Sequence, residues 1–373
     1  MNNTKHMSRI QALVVSLPLV LLVGCGGGSN SASSVSSADT SAPTLAAAPA
    51  ITPANGATDA AYAATLSFTA SKPLSAASIK MNCDGVDVSG TTTVSGAVAT
   101  YTPAAPGYAA NAQCMATVNA TATKDLAGTP FASNVALSNF TVKALACSSS
   151  ASNSPPAFNG TALAAACGNV FVEPTVAKNQ YPVIVEGINS AIQADKALYG
   201  ALQSTQPDVV VCNSTACGTY FAGASQRNTT LYPNSYAGQY VAPRMTVVLT
   251  SATWNRNPYV LAHEFSHVEA AARLNGKHVP AWFDEGLATY VGGEPICTNV
   301  SGKGINDLLT LDLEPDWVTY TNNSAVFDKT YCQARAEVAA WVTKKGNAAI
   351  DQLLQAVSQG QSFTSQYGPM QTQ

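Results

Sequence analysis

Charge is what this sequence has least of. Asp, Glu, Lys and Arg make up 10% of its 373 residues, and the formal net charge is −3. No basic stripe runs along it, so nucleic acid is not an expected partner. Histidine is rarer still, with four in the whole chain. After the first residues, no run is apolar enough to span a bilayer. Large apolar side chains almost vanish across "GGGSNSASSVSSADTSA", residues 26–42. Such a stretch cannot form a core and reads as a flexible tether.

What is present begins before that tether. "MNNTKHMSRI" carries Lys5 and Arg9, and "IQALVVSLPLVLLV" follows, too short and too early for a membrane span. A positive start, a short apolar core and small residues before a cleavage point make a secretory signal. "LVGC", Leu22 to Cys25, resembles the lipobox of a bacterial lipoprotein signal. The resemblance implies that 1–24 is removed, that Cys25 is lipidated and that 25–44 is the tether. It places the protein at the bacterial cell envelope, anchored to a membrane by lipid. Gly26 rather than Asp after the cysteine implies the outer membrane.

Nine cysteines remain to be explained. Setting Cys25 aside leaves an even number, which in an oxidising compartment reads as disulfides. Pairing between sequence neighbours is expected: Cys83 with Cys114, Cys147 with Cys167, Cys212 with Cys217, Cys297 with Cys332. A structural zinc cluster needs two closely spaced pairs. Only "CNSTAC" comes near, and it lacks a second pair.

Length and composition divide the rest into two domains, with a seam at "CSSSASNSPPAFNG", Cys147 to Gly160. Before it, "TLSFTAS", "AVATYTP", "CMATVNATAT" and "NFTV" alternate apolar with small polar residues between Gly/Pro clusters. That is the pattern of an all-β sandwich. "ITPANGATDAAYAATLSFTAS", "YTPAAPGYAANAQCMATV" and "KDLAGTPFASNVALSNFTV" resemble a bacterial Ig-like domain, expected over 45–146. Such a domain usually spaces or attaches something and does not catalyse. Cys83 and Cys114 are additions to that pattern, suited to a link between sheets or strands. After the seam, helical spacing runs from Val183 to Leu202. "DVVVC" and "RMTVVLTS" read as strands. "KTYCQARAEVAAWVTKK" and "NAAIDQLLQAVSQ" read as helices stopped at Gly346 and Gly360. The mixture is α+β. "MTVVLTSA" has two readings, an edge strand that adds an extended peptide or a core strand, and the core reading is preferred.

The chemistry sits in "VLAHEFSHVEAAARL", Val260 to Leu274. Residues four apart share a helix face, so His263 and His267 can point at one ion. Glu264 lies beside them, within reach of a water on that ion, which is the mechanics of H-E-x-x-H. Ala262, Phe265 and Val268 make the other faces apolar, so the histidines sit partly inside and need partners. A hydrolytic zinc site takes a third protein ligand. Downstream lies "VPAWFDEGLATYVGG".

Together the two stretches resemble the gluzincin metallopeptidases, in which H-E-x-x-H precedes a W-x-x-E-G-x-A-x-Y helix. Here the second element is Trp282, Glu285, Gly286, Ala288 and Tyr290, and the likeness covers about residues 245–358. It implies a zincin-like metallopeptidase domain over 157–373. One Zn2+ would be held by His263, His267 and Glu285, and peptide bonds would be hydrolysed by a zinc-activated water with Glu264 as general base. Zincins with a third histidine are excluded, because Arg273 occupies that position. No G-x-M-E-N sequence occurs upstream, which favours an endopeptidase over an aminopeptidase. Asp284 has two readings, a hydrogen-bond partner for a ligand or a solvated helix residue. His278, Tyr290 and Tyr331 suit an oxyanion donor by type, and none is assigned. The expected partners are a peptide or protein substrate and the membrane. The alternative function is a surface binding or adhesion lipoprotein that retains a peptidase fold.

Overall fold

The computed structural model describes residues 40–46, 51–147, 154–223, 228–250, 258–298, 304–305 and 307–372. The expected signal, Cys25 and most of the expected tether lie outside these residues. Among the described residues, no helix is long and apolar enough to cross a membrane.

The first half is built from ten strands: β1 (Ala57–Ala60), β2 (Leu66–Thr69), β3 (Leu74–Ala76), β4 (Ile79–Cys83), β5 (Val86–Val88), β6 (Gly90–Ser95), β7 (Val98–Pro103), β8 (Gln113–Val118), β9 (Lys124–Asp125) and β10 (Val135–Val142). A five-stranded sheet in the order β1-β10-β8-β4-β5 accompanies a three-stranded sheet β2-β7-β6 and the short pair β3-β9. Alternation decides which faces are buried. Leu66 and Phe68 of β2, Ala99 and Tyr101 of β7, and Cys114, Ala116 and Val118 of β8 share one core. Cys83 and Cys114 stand directly opposite each other on β4 and β8, and their disulfide joins neighbouring strands, not the two sheets.

The second half begins with the two-residue strands β11 (Ala157–Phe158) and β12 (Thr161–Ala162), then β13 (Ala164–Cys167) and β14 (Val170–Val172). Helix α1 (Tyr181–Tyr199) starts two residues before the expected Val183, because Pro182 is tolerated in a first helical turn. It stops at Gly200, whose φ of 76° suits glycine. Strand β15 (Asp208–Val211), helix α2 (Thr215–Ala222), β16 (Thr229–Leu231), β17 (Tyr236–Ala237), β18 (Tyr240–Val241) and β19 (Thr246–Leu249) follow. The main sheet runs β13-β14-β15-β19-β16, parallel between β14, β15 and β19, with antiparallel strands at both edges.

All four residues of β15 and of β19 are buried. Strands covered on both faces read as unbroken apolar runs. On one face Val209, Val211, Val247 and Leu249 meet α1 and helix α3 (Pro258–Leu274). On the other, Val210 and Val248 meet Phe221 of α2 and Leu231 of β16. Among the described residues five more α-helices follow: α4 (Ala281–Gly292), α5 (Glu314–Thr321), α6 (Phe327–Lys345), α7 (Ala348–Ser358) and α8 (Phe363–Tyr367). Their core holds Trp282, Trp317 and Trp341, each no more than 2% exposed. The other three expected bridges are also formed: Cys147–Cys167, Cys212–Cys217 and Cys297–Cys332. An N-terminal sandwich is thus followed by a helix-rich region around one mixed sheet.

Candidate metal centre

Two helices that cross at close range bring the chemistry together. Helix α3 carries His263, Glu264 and His267, and α4 carries Asp284, Glu285 and Thr289. Glycine sets their approach. A Cβ on Gly292 would lie 2.7 Å from the Tyr259 carbonyl oxygen of α3. A Cβ on Gly286 would lie 2.7 Å from the Ala334 carbonyl oxygen of α6. The glycine after Glu285 therefore lets α4 lie against α6, and Trp282 and Leu287, both 0% exposed, anchor the same helix in the helical core. The first turn of α4 is held from outside: the Ala281 and Trp282 amides donate to the carbonyls of Asp312 and Leu311 at 2.9 and 3.1 Å.

His263, His267 and Glu285 each present one ligand atom, all within 4.8 Å of one another. His263 Nε2 is 3.2 Å from His267 Nε2 and 3.1 Å from Glu285 Oε2, and His267 Nε2 is 3.7 Å from that oxygen. Bonds of about 2.0–2.2 Å to a tetrahedral zinc make ligand atoms sit roughly 3.3–3.5 Å apart. The three donor separations, 3.1, 3.2 and 3.7 Å, lie on either side of that spacing.

Hydrogen bonds on the far side of each imidazole complete the fit. His267 Nδ1 lies 3.0 Å from Asp284 Oδ2. A carboxylate only accepts, so Nδ1 carries a proton, and the lone pair of Nε2 is what a metal would take. Thr289 spends its hydroxyl proton on the Glu285 carbonyl at 2.7 Å, so its oxygen can accept from His263 Nδ1 at 3.5 Å. Both Nε2 atoms are thereby turned inward, where each could give its lone pair to a metal. The contact of Asp284 is what its ligand-partner reading requires. Burial works against a charged His267, yet the charge and hydrogen bond of Asp284, then Glu285 and Glu264, push its pKa up to about 10. The surrounding carboxylates favour positive charge at this spot, on a proton or on a metal ion.

Glu264, 6% exposed, lies on the same helix between the histidines. Thr230 of the edge strand β16 donates to Glu264 Oε2 at 2.7 Å. Thr230 was not legible in the sequence, because nothing local links a strand threonine to a helix 34 positions on. The group opens on a cavity of about 860 Å³. His278 and Tyr331 line it, whereas Tyr290 packs against the helical core. Arg273 points away, buried, pairing with Glu269 and with Asp351 at 2.7 Å. It ties α3 to α7 and takes no part in the centre. Strand β19 is internal, in keeping with the core reading of "MTVVLTSA"; residues 251–252 lie outside the described ones. The free edge on this side belongs to β16.

A sandwich of two sheets, followed by a helix-rich region with a three-residue group able to hold a metal, is the class that fold and site define. A family model for a bacterial Ig-like domain matches residues 39–142, so the sandwich is Ig-like and the match stops short of the half that holds the candidate metal centre. No curated protein matches the chain.

Proposed function

We propose that the protein is a zinc-dependent peptidase of the gluzincin type, with a zincin-like second domain, held at the cell envelope by a lipid on Cys25. The convergence of His263, His267 and Glu285, with Glu264 alongside, is the observation that carries this reading. In it, the two imidazole Nε2 atoms and the Glu285 carboxylate hold the ion. Zinc, when bound, supplies Lewis acidity that activates water and draws charge from a carbonyl oxygen. Glu264 takes the proton of the attacking water and delivers it to the leaving amine. Thr230 holds Oε2 of that carboxylate and leaves Oε1 to receive the proton. Asp284 and Thr289 keep the imidazoles in the required tautomer. The absence of a G-x-M-E-N sequence favours cleavage within a chain over removal of its first residue.

The test is zinc content and casein hydrolysis on the same preparation. About one zinc per chain and hydrolysis that is lost in Glu264→Gln are expected. The Ig-like match favours one competing reading, a surface binding protein that keeps a peptidase fold. Zinc-loaded protein that cleaves no peptide would leave that reading in place.

A further inference from the structure

Apart from its histidines, the cavity at the candidate metal group carries one sign of charge. Beyond Glu264, Asp284 and Glu285, it is lined by Glu294, Asp312, Glu314 and Asp328. Together these are a third of the chain's 21 acidic residues, so composition does not account for them. No lysine or arginine is among its described lining residues.

Two of the outer carboxylates have a local reason for their place. Glu314 and Asp328 lie in the first turns of α5 and α6, where a helix dipole favours negative charge. Glu294 has the opposite setting. It follows Gly293, the C-cap of α4, at the negative end of that helix. Burial pushes its carboxyl pKa up; His263 and Arg335 pull it down, but Asp328 and Glu285 add to the rise. With Asp328 on the same lining, Glu294 is one of two like charges that a cation between them would bridge. Leu313 and Phe327, 64% and 42% exposed, stand next to Glu314 and Asp328 on the same lining. Acid beside apolar surface suits an aliphatic stem that ends in a positive charge.

We propose that this cleft selects peptides with a lysine or arginine side chain close to the bond presented to His263, His267 and Glu285, and that Glu294 and Asp328 receive its charge. The cleavage part of this statement rests on the peptidase reading; the binding preference does not.

The test uses the full chain with zinc and Glu264→Gln, so that peptides bind without turnover. Labelled peptides of one length, with Lys, Gln or Glu flanking a central bond, are titrated by fluorescence anisotropy. The Lys peptide should bind about tenfold more tightly than the Gln peptide, with the Glu peptide weakest, and the gap should shrink as salt is raised. Adding Glu294→Gln and Asp328→Asn should bring the Lys-to-Gln ratio close to one, and adding Glu294→Lys and Asp328→Lys should invert the order. Zinc retained at one per chain reports that each variant is folded at the centre. Equal affinities for the three peptides, or a Lys preference that survives the double substitution, overturns the proposal. Cleavage by the unsubstituted protein separates the two readings. Lys-selective binding without any cleavage keeps the selectivity and removes the peptidase, whereas cleavage blind to charge does the reverse.

Discussion

Glu264 and Glu285 are both buried acids on facing helices, 6% and 7% exposed, yet the proposed function gives them different work. Glu285 meets both histidines, so Glu285→Ala should lose zinc and hydrolysis together. Glu264→Gln should keep zinc and lose activity by at least about a hundredfold, because an amide cannot take the proton. Metal analysis beside peptide hydrolysis checks the pair; loss of zinc in Glu264→Gln with zinc kept in Glu285→Ala reverses the roles. Asp284→Ala should weaken zinc roughly 10–100-fold, since it frees His267 Nδ1 from its acceptor. Unaltered zinc affinity in a chelator competition would return Asp284 to the role of a plain helix residue. Behind the centre, Asp195 of α1 is 2% exposed, and its Oδ1 has no hydrogen-bond partner among the described residues. Burial pushes it up to about 8, with Arg273 and His267 limiting the rise. That value lies above the roughly 3.9 of an unfolded aspartate. Its contribution to stability is therefore full below about pH 4 and is lost as pH rises through about 8. Urea midpoints should fall between pH 5 and 9 in the parent and fall less in Asp195→Asn; equal slopes would contradict this.

At the scale of elements, the centre depends on how α4 lies between α3 and α6. Gly286→Ala sets a Cβ against the Ala334 carbonyl, a backbone atom that cannot rotate aside. Overpacking of this kind costs about 1–3 kcal/mol. The displacement moves Glu285, so zinc affinity should drop along with the melting temperature. A Gly286→Ala protein that melts lower but binds zinc as before would show that the site tolerates a shifted α4. The helices were largely legible from spacing, because α1, α3, α6 and α7 each place apolar residues on one face. Gly346 and Gly360 marked ends through positive-φ conformations open to glycine, whereas the end at Gly200 lies inside the spacing read as far as Leu202. Helix α2 escaped notice because its eight residues are too few for a period to show. The edge strand β16 escaped for the same reason, with three. Thr230, which holds the proposed base, sits on that strand.

For the whole molecule, the proposed lipid on Cys25 has a direct consequence. Cys25→Ser should move the protein from the membrane to the soluble fraction on cell fractionation, because no described helix can span a bilayer. Unchanged sedimentation with membranes would remove the anchor. The bridge from Cys297 to Cys332 fixes the segment after α4 onto α6. Closing a loop of that size stabilises by about 3–4 kcal/mol in the chain-entropy model.

By itself, the sequence determined the sandwich, the helical second half, the four cysteine pairs, and His263, Glu264, His267 and Glu285 as candidates. Each follows from a local rule: a period of two or of 3.6, pairing of neighbouring cysteines, two histidines one turn apart, a recognisable helix after them. Only the tertiary structure decided the rest. It joined Asp284 to His267, Thr289 to His263 and Thr230 to Glu264, and it put β19 inside the sheet and β16 at its edge. It also gathered Glu294, Asp312, Glu314 and Asp328 around one cavity. None of these follows a period, because each joins elements that are distant in the sequence and meet only through strand pairing and helix packing.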